Sequence, residues 1–319
     1  MSNIPTVSVI FATYQRPDLL MQVLESLKAL IIEGFTYQII AVDNCPNQSA
    51  QTIIESYKNQ LPIHYLFSSV PGKSSAINLG LAHAVGDLLV FTDDDIIADP
   101  YWLHSLVSAA SRYPGVDIFG GRILPKYPDH YQLLDDRIDF DNEFVKVAYG
   151  EADWPQPEGP IIAERIWGAN MMVRKTVFDD DFRFNPNIGP NGHSYAMGSE
   201  TEFLRRAYAN GHSGIYVPGA LVHHQVRKEQ LSLEWLAGRA QRLARGRVKM
   251  QQSQPYNTIA GVPRYLYKKF LIRKLQILVS FFYSKQRNFL HVIELNKITG
   301  EISQYRQMQK ATNQSVKSQ

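Results

Sequence analysis

Short β-rich apolar runs alternate with helical stretches along the first third of the chain. Residues 7–13 (VSVIFAT), 37–44 (YQIIAVDN), 64–69 (HYLFSS), 87–92 (DLLVFT) and 116–124 (VDIFGGRIL) read as strands. They are bounded by turn residues and enriched in Val, Ile and Phe. Helices are expected over 17–30, 49–60, 74–85 and 99–113. Pro17 sits in a first turn, where a missing N–H costs nothing, and Asp99 offers a cap before Pro100. The β-α-β-α order predicts an α/β fold with a mostly parallel, doubly wound sheet and right-handed crossovers. The runs are apolar on both faces, as a sheet covered by helices requires.

Periodicity weakens over 125–165, which is rich in Pro, Asp and Glu. A loop that long inside a compact domain is usually functional or mobile, and this one could close over a ligand. Regularity returns with MMVRKTVF, a helix near 199–210, a short strand at 214–217 and a basic helix over 231–250. A polar break at 251–258 precedes a last helical segment over 263–295, and the final twenty residues read as frayed. No internal repeat is present.

Charge sharpens this picture. Residues 1–224 carry 15 Lys and Arg against 26 Asp and Glu, whereas residues 225–319 carry 18 against 4; together they return the net charge of +3. A basic half of this kind meets phosphate, nucleic acid or anionic lipid. Over 263–295, Lys269, Arg273, Gln276 and Ser280 share one helical face, and Leu271, Leu275, Leu278 and Phe282 another. Such a helix can lie on anionic lipid, dock on the rest of the chain or form a dimer. The apolar run 275–283 is too short to span a bilayer. The N-terminus has no signal-peptide pattern. The lone Cys45 excludes an intrachain disulfide and fits a reducing compartment. A cytoplasmic protein is the expectation, with peripheral contact on the inner face of the membrane as one use of this segment.

Candidate chemistry begins where the fourth strand ends, in Asp93-Asp94-Asp95. Ligands of open α/β sheets bind outside the carboxyl ends of strands. Oxygen-rich clusters suit Mg²⁺ or Mn²⁺, and adjacent carboxylates need a cation among them. In an extended segment Asp93 and Asp95 would point to one side and share a ligand. The bland alternative is a solvated turn capping the next helix, a task Asp99 already fills.

Several stretches together resemble family-2 glycosyltransferases of the GT-A fold. VSVIFATYQRPDLLMQVLESL is similar to that family's first strand and helix, IIAVDN to its second strand, and GKSSAINLGLAHAVGDLLVFTDDD to the stretch leading into its metal motif. WGANMMVRKTVF, GSETEFLRRA and VHHQVRKEQLSLEWLAGRAQRLARG follow in the family's order, so the likeness spans roughly residues 5–250. The resemblance implies a GT-A domain over 1–250, with a donor half to 124 and an acceptor half beyond, followed by a basic helical extension over 251–319. It implies that Asp43 holds uracil, that Thr13 and Arg16 line the nucleotide site with Asp94, and that Asp93 faces the ribose and Asp95 the metal. Glu200 falls at the place of the catalytic base, with Ser199-Glu200 where the family commonly has Glu-Asp. Inversion at the anomeric carbon rests on the same likeness.

The residues themselves allow these roles. Lys73, after the Pro71-Gly72 turn, could meet phosphate at a helix N-terminus, or be a solvated lysine. Glu200 and Glu202 could serve base and acceptor, or complement a helix dipole. His223, or its neighbour His224, could be a metal ligand or structural. Arg239, Arg242 and Arg245, at helical spacing, could hold phosphate or form a solvated face. Trp167, Gly168 and Asn170 suit a sugar, with a core tryptophan as the alternative. The expected partners are therefore a nucleotide-sugar donor, most simply a UDP-sugar, and a carbohydrate or lipid-linked acceptor, with Mn²⁺ or Mg²⁺ as cofactor. Nucleic acid is not expected. A sugar-nucleotide nucleotidyltransferase would ordinarily show a Gly-rich loop near the first strand, and FATYQRPD has no glycine. A non-catalytic nucleotide- or sugar-binding module is the other alternative.

Overall fold

In the computed structural model, the structure describes residues 4–192, 195–251, 257–280 and 284–317. The chain divides into two compact units. The first holds residues 1–126, 149–187 and 199–225, and the second residues 127–148, 188–198 and 226–319.

The first unit is built on a 9-stranded sheet. In chain order its elements are β1 (Thr6–Thr13), α1 (Pro17–Lys28), β2 (Thr36–Asp43), α2 (Gln51–Tyr57), β3 (Ile63–Phe67), α3 (Lys73–Ala82), β4 (Leu88–Thr92), β5 (Ile96–Ala98), α4 (Trp102–Arg112) and β6 (Ile118–Lys126). The second unit takes α5 (Glu143–Ala148); the first resumes with β7 (Gly159–Ile161), β8 (Asn170–Arg174), α6 (Ser199–Ala209) and β9 (Gly214–Gln225).

Helix α1 forms because Leu20, Val23, Leu24 and Leu27 recur at helical spacing and are all buried. Each contributes roughly 1.5–3 kcal/mol of burial. Asp18 in its first turn and Lys28 in its last complement the dipole. β4 is buried at every position, as a strand covered on both faces must be.

The strand order is β3-β2-β1-β4-β8-β6-β9-β5, with β7 paired to β9. From β3 to β4 all pairings are parallel, as the alternation of elements predicts. Beyond β4 the sheet is mixed. β8 runs antiparallel to β4 and to β6, β6 and β9 are parallel, and β5 and β7 run against β9. The expected α/β architecture, a central sheet flanked by helices, is thus present.

Antiparallel β8 matters for the site. Its first residue, Asn170, pairs with the last of β4, Thr92. The segment entering β8 therefore arrives where the Asp93–Asp95 turn begins.

Several elements depart from expectation. β5, hidden behind the acidic turn, was not foreseen, because three residues carry no period of their own. The strand expected at 214–217 extends to Gln225, held by β5 and β6. Residues 125–165 are not one loop, since α5, β7 and short 3₁₀ turns punctuate them.

The second unit contains α7 (Leu233–Met250), α8 (Arg264–Ser280) and α9 (Lys285–Lys317). α7, read from sequence with the catalytic region, packs here against α9: Gly300 abuts the backbone of Gln241, and Gln241 donates to Asn296 at 2.6 Å. Residues 311–317 are helical rather than frayed. The expected continuous helix over 263–295 is two helices, with Phe282 and Tyr283 outside the described residues. Most of the polar break at 251–258 also lies outside them. Among the described residues, no helix is long and apolar enough to cross a membrane.

Candidate active site

The acidic segment after β4 is a turn, not an extended strand. The alternation expected of Asp93 and Asp95 is therefore lost. Instead Arg16 Nη1 reaches Asp94 Oδ1 at 2.8 Å and Asp95 Oδ2 at 2.9 Å. Asp93 turns the other way and pairs with Lys73. Two cations thus supply the neutralisation that three adjacent carboxylates demand.

These placements set the protonation behaviour. Burial opposes the charge of Arg16, but Asp94, Asp95 and Asp93 outweigh it and hold the guanidinium charged. Burial also opposes ionisation of Asp93, and there the Lys73 ammonium prevails, with His224 and Arg16 assisting, so Asp93 titrates below the ordinary value. For Asp94 burial wins: despite Arg16, its carboxyl is pushed up to about 6, with Asp95 adding to the rise. Thr13 and the Tyr14 N–H brace Asp94 from the end of β1.

Lys73 opens α3. The loop before it is tied by Asn44, whose amide donates to the carbonyls of Ser68 and Val70 and accepts from the Gly72 N–H. Lys73 Nζ also lies 3.5 Å from Glu200 Oε1. Burial disfavours its charge, but Asp93 and Glu200 raise it well above the usual lysine value.

Glu200 is in the first turn of α6, and its Oε2 accepts from Ser199 Oγ at 3.1 Å. It passes directly over Gly168. A Cβ on Gly168 would fall 2.4 Å from Glu200 Cγ, so only glycine leaves room for the carboxylate. Lys73, Ser74, Thr92, Gly168, Ser199 and Glu200 line one small recess.

His224, not His223, lies beside the acidic turn. β5 pairs Ile96 with His224, and His224 Nε2 sits 3.6 Å from Asp95 Oδ1. Strand alternation sends His223 to the opposite face. There burial and Lys126 push its imidazole below the ordinary value. Asp95 Oδ1 is buried without a hydrogen-bond partner, and so is His224 Nδ1. Among the described residues no three or more His, Cys, Asp or Glu side chains converge as a complete metal cage.

Other expected site residues are spoken for. Asp43 is fully buried, and its two oxygens accept from the N–H groups of Cys45 and Ala50, so it braces the loop into α2. Asn170 is also fully buried. Its oxygen accepts from Trp102 Nε1 at 2.8 Å, and its nitrogen donates to the carbonyls of Arg122 and Ala220, so it joins strands rather than meeting a sugar. Glu202 is held by Arg206 one turn on, at 2.7 and 3.0 Å. Trp167 is half-buried, edge-on to Trp154, and donates to the Glu164 carbonyl. Arg239 and Arg242 belong to the second unit, over the rings of Trp235 and Tyr195.

Reasoning from sequence missed Asn44, whose signal was an amide between a strand end and Pro46. It also preferred His223 to His224. Only the β5–β9 pairing separates those two.

A mixed α/β sheet with an acidic turn at a strand's carboxyl end, and a carboxylate over a glycine beside it, is a scaffold that can hold a phosphorylated ligand. The sequence profile of glycosyl transferase family 2 matches residues 8–186, and the chain belongs to that family; it is a glycosyltransferase. It is 28% identical over 230 residues to the succinoglycan biosynthesis protein ExoM of Rhizobium meliloti, covering 71% of this chain and 69% of that protein. It is 29% identical over 162 residues to the validoxylamine A glucosyltransferase of Streptomyces hygroscopicus subsp. limoneus, covering 49% of this chain and only 35% of that one. Two solved structures share the fold. Residues 1–349 of S. aureus TarS in complex with UDP match at a TM-score of 0.55 and 16% identity, over 97% of this chain and 92% of that one. The mannosyltransferase PcManGT from Pyrobaculum calidifontis, in complex with GDP-Man and Mn²⁺, matches at 0.55 and 16%, over 98% and 76%.

Proposed function

We propose that this glycosyltransferase moves a sugar from a UDP-sugar to a hydroxyl of a carbohydrate or lipid-linked acceptor, with inversion, in glycan or polysaccharide assembly. The observation that carries this reading is the contact chain Asp93–Lys73–Glu200, in which one ammonium links the acidic turn to the candidate base. The polysaccharide context is supported by the relative named for succinoglycan biosynthesis, and the uridine donor by the fold neighbour bound to UDP.

Glu200 would accept the proton of the attacking hydroxyl. A carboxylate does this when it lies within hydrogen-bond reach in a partly enclosed site, and such catalysis is worth about 10²–10⁴-fold. Lys73, fixed at the start of α3, would meet the donor's diphosphate with the helix N-terminus behind it. Arg16 and Thr13 hold Asp94 and so set the shape of the acidic turn. Asp43 would act on the base only indirectly, by fixing the loop that follows β2.

The residues present fit a divalent ion. The partnerless Asp95 Oδ1 and the nearby His224 Nε2 form an oxygen and nitrogen donor set that suits Mn²⁺ or Mg²⁺, and these two residues would hold it. When bound, the ion supplies Lewis-acid charge to the leaving diphosphate.

The test is a panel of nucleotide sugars with Mn²⁺, scored for transfer and slow donor hydrolysis. Turnover of one or two UDP-sugars is expected, lost in Asp95→Asn and in chelator, and reduced about 10²-fold or more in Glu200→Gln. Donor binding with no turnover under any condition would overturn the enzymatic role of Glu200. Pyrophosphate release from a nucleoside triphosphate and a sugar phosphate would replace the reading altogether.

A further inference from the structure

An ordinary surface helix buries its apolar stripe and turns its polar residues to water. The second half of α8 does the reverse. Leu271, Leu275 and Leu278 recur at i, i+4 and i+7 and are 67%, 63% and 63% exposed; Ile272 and Val279 extend the same stripe. Arg273, Gln276 and Ser280 are the less exposed side, while Lys274 stays out with the leucines. Arg273 Nη1 lies 2.9 Å from His291 Nδ1, and Asn288 donates to the Ile277 carbonyl. Only the first half packs conventionally, with Leu266 buried among Val262, Ile298 and Ile302. The helix carries Arg264, Lys268, Lys269, Arg273 and Lys274 and no Asp or Glu. All but Arg273 are exposed, and Lys269 and Lys274 fold over the rings of Tyr265 and Phe270.

We propose that the exposed face of α8 is an in-plane seat for an anionic lipid surface. An outward apolar stripe flanked by Lys and Arg is the pattern of helices that lie in the headgroup region. No described helix can cross the bilayer, so the contact is peripheral. Charge selects lipid over a second copy of the chain. An isologous pairing through this stripe would bring two sets of five cations together with no acid on either helix. An anionic headgroup layer instead gains about fivefold in partitioning per cation near its surface. This inference goes beyond the transfer chemistry and does not depend on it.

The test is flotation of the full chain with two kinds of vesicle, phosphatidylcholine alone and phosphatidylcholine doped with phosphatidylglycerol. Recovery with the anionic vesicles is expected, falling as salt rises. The triple change Leu271→Gln, Leu275→Gln and Leu278→Gln should reduce partitioning at least about tenfold, since it removes the buried apolar contribution. The pair Lys268→Glu and Lys274→Glu should lose the preference for anionic vesicles. Circular dichroism and donor hydrolysis serve as controls for folding, and both are expected unchanged. Failure of the wild-type chain to float with either vesicle overturns the proposal. So does partitioning that ignores both variants, or a concentration-dependent dimer in sedimentation that the leucine variant abolishes. A loss of hydrolysis with flotation intact would bear on the transfer site alone.

Discussion

Lys73 Nζ lies 3.5 Å from Glu200 Oε1 while its other contact is Asp93, so one ammonium holds the two carboxylates apart in charge and together in space. Removing it as Lys73→Met should raise the donor KM and lower kcat, a combined loss of about 10²-fold in kcat/KM by analogy with other transition-state charge clamps. Steady-state kinetics on a UDP-sugar checks this. A variant with unchanged kcat/KM would show the lysine to be merely a solvated charge.

Gly168 supplies the clearance for Glu200, since a Cβ there would fall 2.4 Å from Glu200 Cγ and 2.7 Å from Oε1. In Gly168→Ala the carboxylate must swing aside. Displacement of a reacting group by about 1 Å can cost on the order of 10²-fold. The expected outcome is a loss of that size in kcat with donor affinity preserved, measured by turnover and by calorimetric titration of UDP.

Asn170 joins α4, β6 and β9 through three side-chain hydrogen bonds in a fully buried position. Asn170→Ala strands the Trp102 indole N–H and two carbonyls, at a cost of about 3 kcal/mol. That corresponds to roughly 6–12 °C in Tm for a domain of this size. Differential scanning calorimetry is the check. Activity lost without any fall in Tm would return Asn170 to the acceptor site.

Asp93 and Asp94 pull stability in opposite directions with pH. Burial raises Asp94 to about 6, so the folded chain takes up a proton there more readily than the unfolded one. That stabilising contribution is complete below the ordinary Asp value and fades as pH rises through about 6. Asp93 is held low by Lys73, so its contribution is present above the ordinary value and is lost as pH falls through the lower folded value. Asp94→Asn should therefore gain urea stability over wild type at about pH 8 and gain less at about pH 5. A gain of equal size at both would contradict the assignment.

Much of this was legible in the chain itself. The parallel half of the sheet follows from apolar runs and turn residues, because strands such as β4 are buried on both faces and announce themselves. The acidic turn, Lys73 and Gly168 were named from residue type and position, and Glu200 from the family resemblance, and the fold brings all of them together. What escaped depends on partners distant in sequence. Asn170 looks like a sugar ligand until β6 and β9 close around it. Glu202 looks equivalent to Glu200 until Arg206, one turn on, claims it. The stripe Leu271, Leu275 and Leu278 was legible as one helical face, but only the packing of α8 reveals that this face is turned out.

The ladder between β6 and β9 changes register between Gly121 and Arg122, and the Asn170 amide fills the gap by bonding to Arg122 and Ala220. Past that bulge the last residues of β9 are aligned afresh, between β6 on one side and β5 on the other. Inserting one residue just after Ala220 would turn every later side chain to the opposite face of the sheet. His223 would then occupy the place that His224 holds beside Asp95. The doubled imidazole thus keeps a histidine beside Asp95 through a slip in one direction, whereas a deletion would present Gln225 instead.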